Sequence, residues 1–141
     1  LFDEYGNLNN WWTEADQKHF QTLADQMIAE FNGLEIAGGK VNGKLTVSEN
    51  IADAGGLSCA LEAAKKDPAV DLAGFFINWA TIWRMKARQE YTQLLLSVDV
   101  HAPNKLRANV QVQNLADFYQ TFDIQPEDPM FLEPEKRVQI W

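Results

Sequence analysis

Two carboxylates lie four residues apart in Glu49-Asn50-Ile51-Ala52-Asp53. On a helix that spacing sends both from one face, about one turn from each other. Such a pair can serve a metal centre, with Glu49 as an oxygen ligand and Asp53 accepting the outer N–H of a metal-bound His. The same spacing is also common on a solvated acidic helix face. A second group is Asp99-Val100-His101-Ala102-Pro103, followed by Arg107. Pro103 keeps the residue before it out of the α region, and the resulting bend can aim His101 at a cleft, with Asp99 holding it protonated. A cationic His can stabilise an oxyanion, and an Arg can grip a carbonyl or carboxylate through its fork of donors. The plainer reading is an exposed loop His and a surface Arg. His19, on the polar side of a predicted helix, reads as surface.

Other chemistries lack their residues. Catalytic zinc takes three protein ligands and an open position. The chain has no H-E-x-x-H, no C-x-x-C and only two well-separated His, so it cannot build an active metal site alone. Gly-rich phosphate loops and G-x-S-x-G are also missing. The single cysteine, Cys59, sits in Gly-Leu-Ser-Cys-Ala-Leu and is expected to be a buried structural thiol.

The elements that must position these groups are mostly helical. Thr13 is a good N-cap with Asp16 in the capping-box place, and Phe20, Leu23, Ala24, Met27, Ile28 and Phe31 follow as one apolar stripe until Asn32-Gly33. Between 34 and 45, Gly38-Gly39 and Asn42-Gly43 predict a short hairpin or irregular loop. A second helix is expected over 47–65, capped by Thr46 or Ser48 and carrying Glu49 and Asp53. Its interior Gly55-Gly56 implies close packing against the backbone, since each Gly costs about 1 kcal/mol relative to Ala.

Phe75, Phe76, Trp79, Ala80, Ile82, Trp83 and Met85 predict a third helix, apolar on nearly all sides and therefore buried, ending in Arg84, Lys86 and Arg88. A shorter helix is expected over 90–98. Asn114 is the expected cap of a last helix with Phe118, Tyr119 and Phe122 on one face, and Val138-Gln139-Ile140-Trp141 is a candidate strand.

Composition narrows the setting. The 141 residues (16.0 kDa) fit one domain, and 46% hydrophobic with 11% aromatic residues excludes intrinsic disorder. A net charge of −8 and a pI near 4.6 argue against nucleic acid and anionic membranes as partners. No apolar stretch is long enough to span a bilayer. One cysteine allows no internal disulfide, and with no signal segment at the start a reducing compartment is expected. The opening 2–10, turn-forming yet carrying Phe2, Tyr5 and Leu8, reads as cut from something larger.

Taken together, several strings carry a resemblance. Phe2-Asp3 with Gly6-Asn7-Leu8, Trp11-Trp12-Thr13, Val41-Asn42-Gly43, Glu49 to Asp53 with Gly55-Gly56-Leu57, Asp99 to Pro103 with Arg107, and Val138-Gln139-Ile140-Trp141 occur in order. The sequence resembles the C-terminal part of the neprilysin-like zinc metallopeptidases, a family that includes endothelin-converting enzyme and bacterial endopeptidase O. The resemblance implies a mainly α fold, the helical C-terminal portion of a thermolysin-like (gluzincin) catalytic domain with short hairpin or loop segments, spanning 1–141 as a single domain. It implies a zinc-dependent endopeptidase that cleaves peptides with zinc-activated water.

Residue by residue, the resemblance makes Glu49 the third zinc ligand and Asp53 the acid that orients a zinc-bound His. It makes His101 the group that stabilises the tetrahedral intermediate, Asp99 its partner, and Arg107 the donor to a substrate backbone carbonyl. The H-E-x-x-H segment would precede Leu1. Peptide substrates and that missing N-terminal part are the expected partners, and the chain alone is expected to be inactive and to hold zinc weakly at best. Ser48 and Leu106 depart from the family's usual Gly and Phe, though neither removes a functional atom. The lack of a Cys near Trp141 fits the intracellular bacterial type, hence a cytoplasmic protein. The alternative is a non-catalytic peptide-binding or scaffold domain that keeps the fold without the chemistry. Faces that met the missing part are expected to drive dimerisation or association.

Overall fold

A computed structural model describes residues 2–140, and its architecture is helical as expected. Helix α1 (Glu14–Phe31) starts at the predicted cap: Thr13 Oγ1 accepts from the Asp16 N–H (3.1 Å) and donates to the Asp16 carboxylate (2.6 Å). Its stripe buries Ala24, Met27 and Phe31. Strands β1 (Glu35–Ile36) and β2 (Gly39–Lys40) then form the hairpin, Glu35 opposite Lys40 and Ile36 opposite Gly39. Ala37 (φ 54°) and Gly38 (φ 79°) make its turn, the two left-handed residues that match the twist of a tight hairpin.

Helix α2 (Gly43–Ala64) begins earlier than the sequence predicts. Asn42 is its cap, its side-chain oxygen accepting from the N–H groups of Lys44 (3.1 Å) and Leu45 (3.3 Å). Thr46 is instead buried within the first turns, accepting from Asn50 Nδ2 at 3.1 Å. Asn32, at the end of α1, accepts from the Gly43 N–H (3.1 Å), so the two helices are joined at a corner. A Cβ at Gly43 would collide with the Ile28 carbonyl oxygen, which is why glycine stands there. At Gly56 nothing lies within 4 Å of an added Cβ, so the expected close packing is not made at that position. Cys59 is exposed rather than buried. It is two residues from both Leu57 and Leu61, about 200° around the helix, and those two take the buried face.

Helices α3 (Leu72–Ile82), α4 (Gln89–Val98), α5 (Asn104–Asn109) and α6 (Ala116–Phe122) follow, with 3₁₀ turns at Gln111–Asn114 and Pro134–Lys136. The all-round apolar α3 is not buried on all sides: Phe76 is inside, while Ile77 and Ile82 are each 59% exposed. Within this chain α3 packs on α5 and α6, and no described element covers its outer face. It also stops at Ile82, ahead of the predicted basic end. Asn114 does not cap α6. Leu115 occupies that position without a side-chain cap, and Asn114 instead donates to Glu30 (3.0 and 3.1 Å) and accepts from the Val138 N–H (2.6 Å). Residues 138–140 form no strand, because Val138 is used as a buried plug bonded to that side chain; Trp141 lies outside the described residues.

Two apolar clusters hold the chain. One joins Met27 and Phe31 of α1 to Val41, Ala102, Val110 and Val138. The other joins Leu57 and Leu61 of α2 to Phe76, Val112, Phe118 and Tyr119. Helix α2 serves both, since Ile51 and Ala54 pack against the first cluster. The helix bearing the paired carboxylates is therefore fixed from both ends. No helix among the described residues is long and apolar enough to cross a membrane.

Candidate functional site

Glu49 and Asp53 leave one side of α2, as their spacing requires, and each meets a residue from the segment around α5. Arg107 donates from Nε to Asp53 Oδ2 and from Nη2 to Oδ1, both at 2.7 Å. This bidentate pair is largely shielded, with the side chains 14% and 11% exposed. The guanidinium also lies over the Trp83 ring, 3.7 Å from its centroid. Trp79 donates from Nε1 to the Arg107 carbonyl (3.3 Å), so α3 fixes the backbone of this arginine and its C-cap residue, Trp83, the head group. Stacking suits the planar guanidinium and would be lost with lysine.

His101 stands beside that clamp. Its backbone N–H (3.0 Å) and its Nδ1 (2.8 Å) both meet Asp99 Oδ1, while Nε2 faces Glu49 Oε2 at 3.3 Å. Asp99 closes the C-terminus of α4, and Ala102, only 2% exposed, plugs the next residue into the first apolar cluster. Pro103 then opens α5. The imidazole is thus held between a bonded loop and a buried anchor, yet remains 44% exposed. Hydrogen bonds from the His101 backbone and then from its ring hold the Asp99 carboxyl below its ordinary range. A proton on Nδ1 is donated to Asp99, whereas Nε2 and Glu49 share only a charge contact that is attractive when the ring is protonated.

Asp99, His101 and Arg107 line one cleft of about 770 Å³ together with Trp83. The five sequence-predicted residues therefore gather into a trio, Glu49–His101–Asp99, and an adjoining pair, Asp53–Arg107, rather than scattering. Spacing did not reveal the aromatic support from Trp79 and Trp83, which read as core. Their separation of four residues, one helical turn, is the signal that both face the same side. Two further residues were missed. Asn50, fully buried next to Glu49, gives its carbonyl to Gln111 Nε2 (2.9 Å), so the first turns of α2 are tied to the 3₁₀ turn after α5.

Among the described residues no three His, Cys, Asp or Glu side chains cluster as a ligand set. Glu49 is the carboxylate with the chemistry of a ligand: it is 38% exposed, and its one close charged neighbour is His101 Nε2 at 3.3 Å. One carboxylate suits one place in a zinc site, not a site by itself.

The helical chain thus sets a partly exposed carboxylate on α2 beside a braced imidazole and a stacked Arg–Asp clamp. Residues 1–138 match peptidase family M13, and the chain belongs to that family. It is 55% identical over 140 residues to the neutral endopeptidase of Lactococcus lactis subsp. lactis, covering 99% of this chain and 22% of that protein. The neutral endopeptidase of Lactobacillus helveticus is 49% identical, again over 99% of this chain and 22% of the relative. Among solved structures, PepO from Lactobacillus rhamnosis superposes with a TM-score of 0.95 at 51% identity, over 100% of this chain and 22% of that one. The Mycobacterium tuberculosis zinc metalloprotease Zmp1, solved with an inhibitor, gives 0.91 at 36% identity, over 96% and 23%. The chain spans about a fifth of the length of these relatives, and its fold is that of their helical C-terminal part.

Proposed function

We propose that this chain is the C-terminal part of the catalytic domain of a zinc-dependent endopeptidase and carries its transition-state side of the centre. The observation that supports this most is the single cleft lined by His101 and Arg107, each braced by a carboxylate, with His101 Nε2 3.3 Å from Glu49. Glu49 is the ligand this chain gives to zinc, the other protein ligands coming from outside these 141 residues. Bound there, the metal supplies Lewis-acid activation of water and of the peptide carbonyl.

His101 donates from Nε2 to the oxyanion that develops on the attacked carbonyl, and Asp99 is the positioning residue that fixes its ring. Arg107 spends Nε and Nη2 on Asp53 and keeps its remaining N–H donors for a substrate backbone carbonyl. Asp53 positions Arg107 directly, and its carboxylate oxygens can each accept one further bond, which suits the outer N–H of a zinc-bound His. The chain alone is inactive on this reading, because one metal ligand is present.

The test is Glu49→Ala in the full-length parent protein, with zinc content and hydrolysis of an unstructured peptide measured together. Loss of both is expected. A parent that keeps stoichiometric zinc and full proteolysis without this carboxylate overturns the reading.

A further inference from the structure

The cleft beside His101 is charged in a way that the rest of the chain is not. The molecule carries a net charge of −8, yet the cleft wall contains the cations Arg84, Lys105 and Arg107 and the single acid Asp99. Arg107 is committed to Asp53 and Asp99 to His101. That leaves Arg84 and Lys105, both exposed and neither in an ion pair among the described residues. The rest of the wall mixes apolar Ala80, Met85 and Leu95 with the amides Gln89, Asn104 and Asn109. Arg84 follows the end of α3 and Lys105 stands in the first turn of α5, so two separate elements bring positive charge to one rim.

From this we infer that Arg84 and Lys105 form a carboxylate-recognising subsite, so that the peptides taken by the cleft carry a carboxylate close to the bond that is cut. A trough of apolar and amide side chains with two uncommitted cations fits a peptide that presents backbone amides and hydrocarbon surface together with a negative group. It does not fit a polyanion, which the surrounding acidic surface repels. The carboxylate has two sources, an Asp or Glu side chain and a free peptide C-terminus. The inference rests on the endopeptidase reading above and adds the substrate class to it.

The experiment uses the full-length parent enzyme. One neutral parent peptide is varied by placing Glu or Gln at each position flanking the cleaved bond, and a short version is made with a free or an amidated C-terminus. Values of kcat/KM are compared within each acid–neutral pair. The expected result is a preference for the acid of roughly three- to tenfold at one position or at the free terminus, which identifies the source. The double variant Arg84→Gln/Lys105→Gln brings that ratio to about one. The swap Arg84→Lys/Lys105→Arg retains it, and Arg84→Glu/Lys105→Glu turns the preference toward a Lys-bearing peptide, an outcome that misfolding cannot imitate. Equal rates within every pair, or a preference that survives removal of both cations, overturns the subsite while leaving the endopeptidase reading intact. A parent that cuts no peptide at all overturns that reading, and the subsite with it.

Discussion

Arg107 and Asp53 face each other across two parallel contacts of 2.7 Å, from α5 and α2, with the Trp83 ring stacked beneath the guanidinium. A lysine in place of Arg107 keeps one charge but loses the fork and the stack. Arg107→Lys is expected to lower kcat/KM of the parent enzyme about tenfold or more, and Asp53→Asn, which leaves a shielded cation half-paired, to destabilise it by about 2–4 kcal/mol. Steady-state kinetics and urea unfolding check the two effects separately.

Asp99 should titrate below its ordinary value, because the His101 backbone N–H and then the ring favour its charged form. A depressed carboxyl strengthens the loop above the unfolded pKa and loses that contribution as pH falls through the folded value, so the hold on His101 weakens only below about pH 4. Since the backbone bond is the larger cause, His101→Ala is expected to return only part of the shift. Carboxyl carbon shifts followed by NMR titration distinguish partial from full return.

Glu30 runs the other way. Burial pushes its carboxyl up to about 7, against the opposing hydrogen bonds from Asn114. A raised acid favours the folded chain below its unfolded value near 4.5, and that stability is lost as pH rises toward 7. Glu30→Gln should therefore stabilise the fold at pH 8 by roughly 1–3 kcal/mol and have little effect at pH 4. Unfolding curves at the two pH values give the difference.

Gly43→Ala tests the corner between α1 and α2. The new methyl group meets the Ile28 carbonyl oxygen and the Asn32 side chain, both part of packed structure. Destabilisation of about 1–3 kcal/mol is expected, whereas Gly56→Ala, with open space around it, should be neutral or stabilising. Thermal melts of the two variants supply the comparison.

The 141-residue chain by itself should self-associate. Tyr91, Leu94 and Val98 make an exposed stripe on α4, and Ile77, Ile82 and Met85 add exposed apolar surface on and after α3. Sedimentation velocity should show dimers or larger species at high concentration, with Ile82→Glu/Leu94→Glu shifting them toward monomer.

Local features were legible in the sequence. The Thr13–Asp16 cap, the hairpin and the Asp99–His101 pair all lie within a few residues, where spacing determines contact. The contacts from α2 to His101 and Arg107 join distant parts of the chain, and spacing is silent about them; only the resemblance placed those residues in one site. Asn42-Gly43 was misplaced because the same dipeptide serves a turn or a helix start. Cys59 was misread from its neighbours instead of its helical phase. The apolar excess of α3 predicts burial on all sides, but within the described residues only one face, with Phe76, is covered.

Ala102 and Val138 sit in the same apolar cluster, so the loop that aims His101 and the segment around Val138 rest on a common footing. Deleting or distorting the segment around Val138 would therefore loosen the imidazole from behind without touching Glu49, Asp53 or Arg107. An engineer wishing to attach a label to this part of the molecule should choose the exposed Cys59 flank of α2 instead.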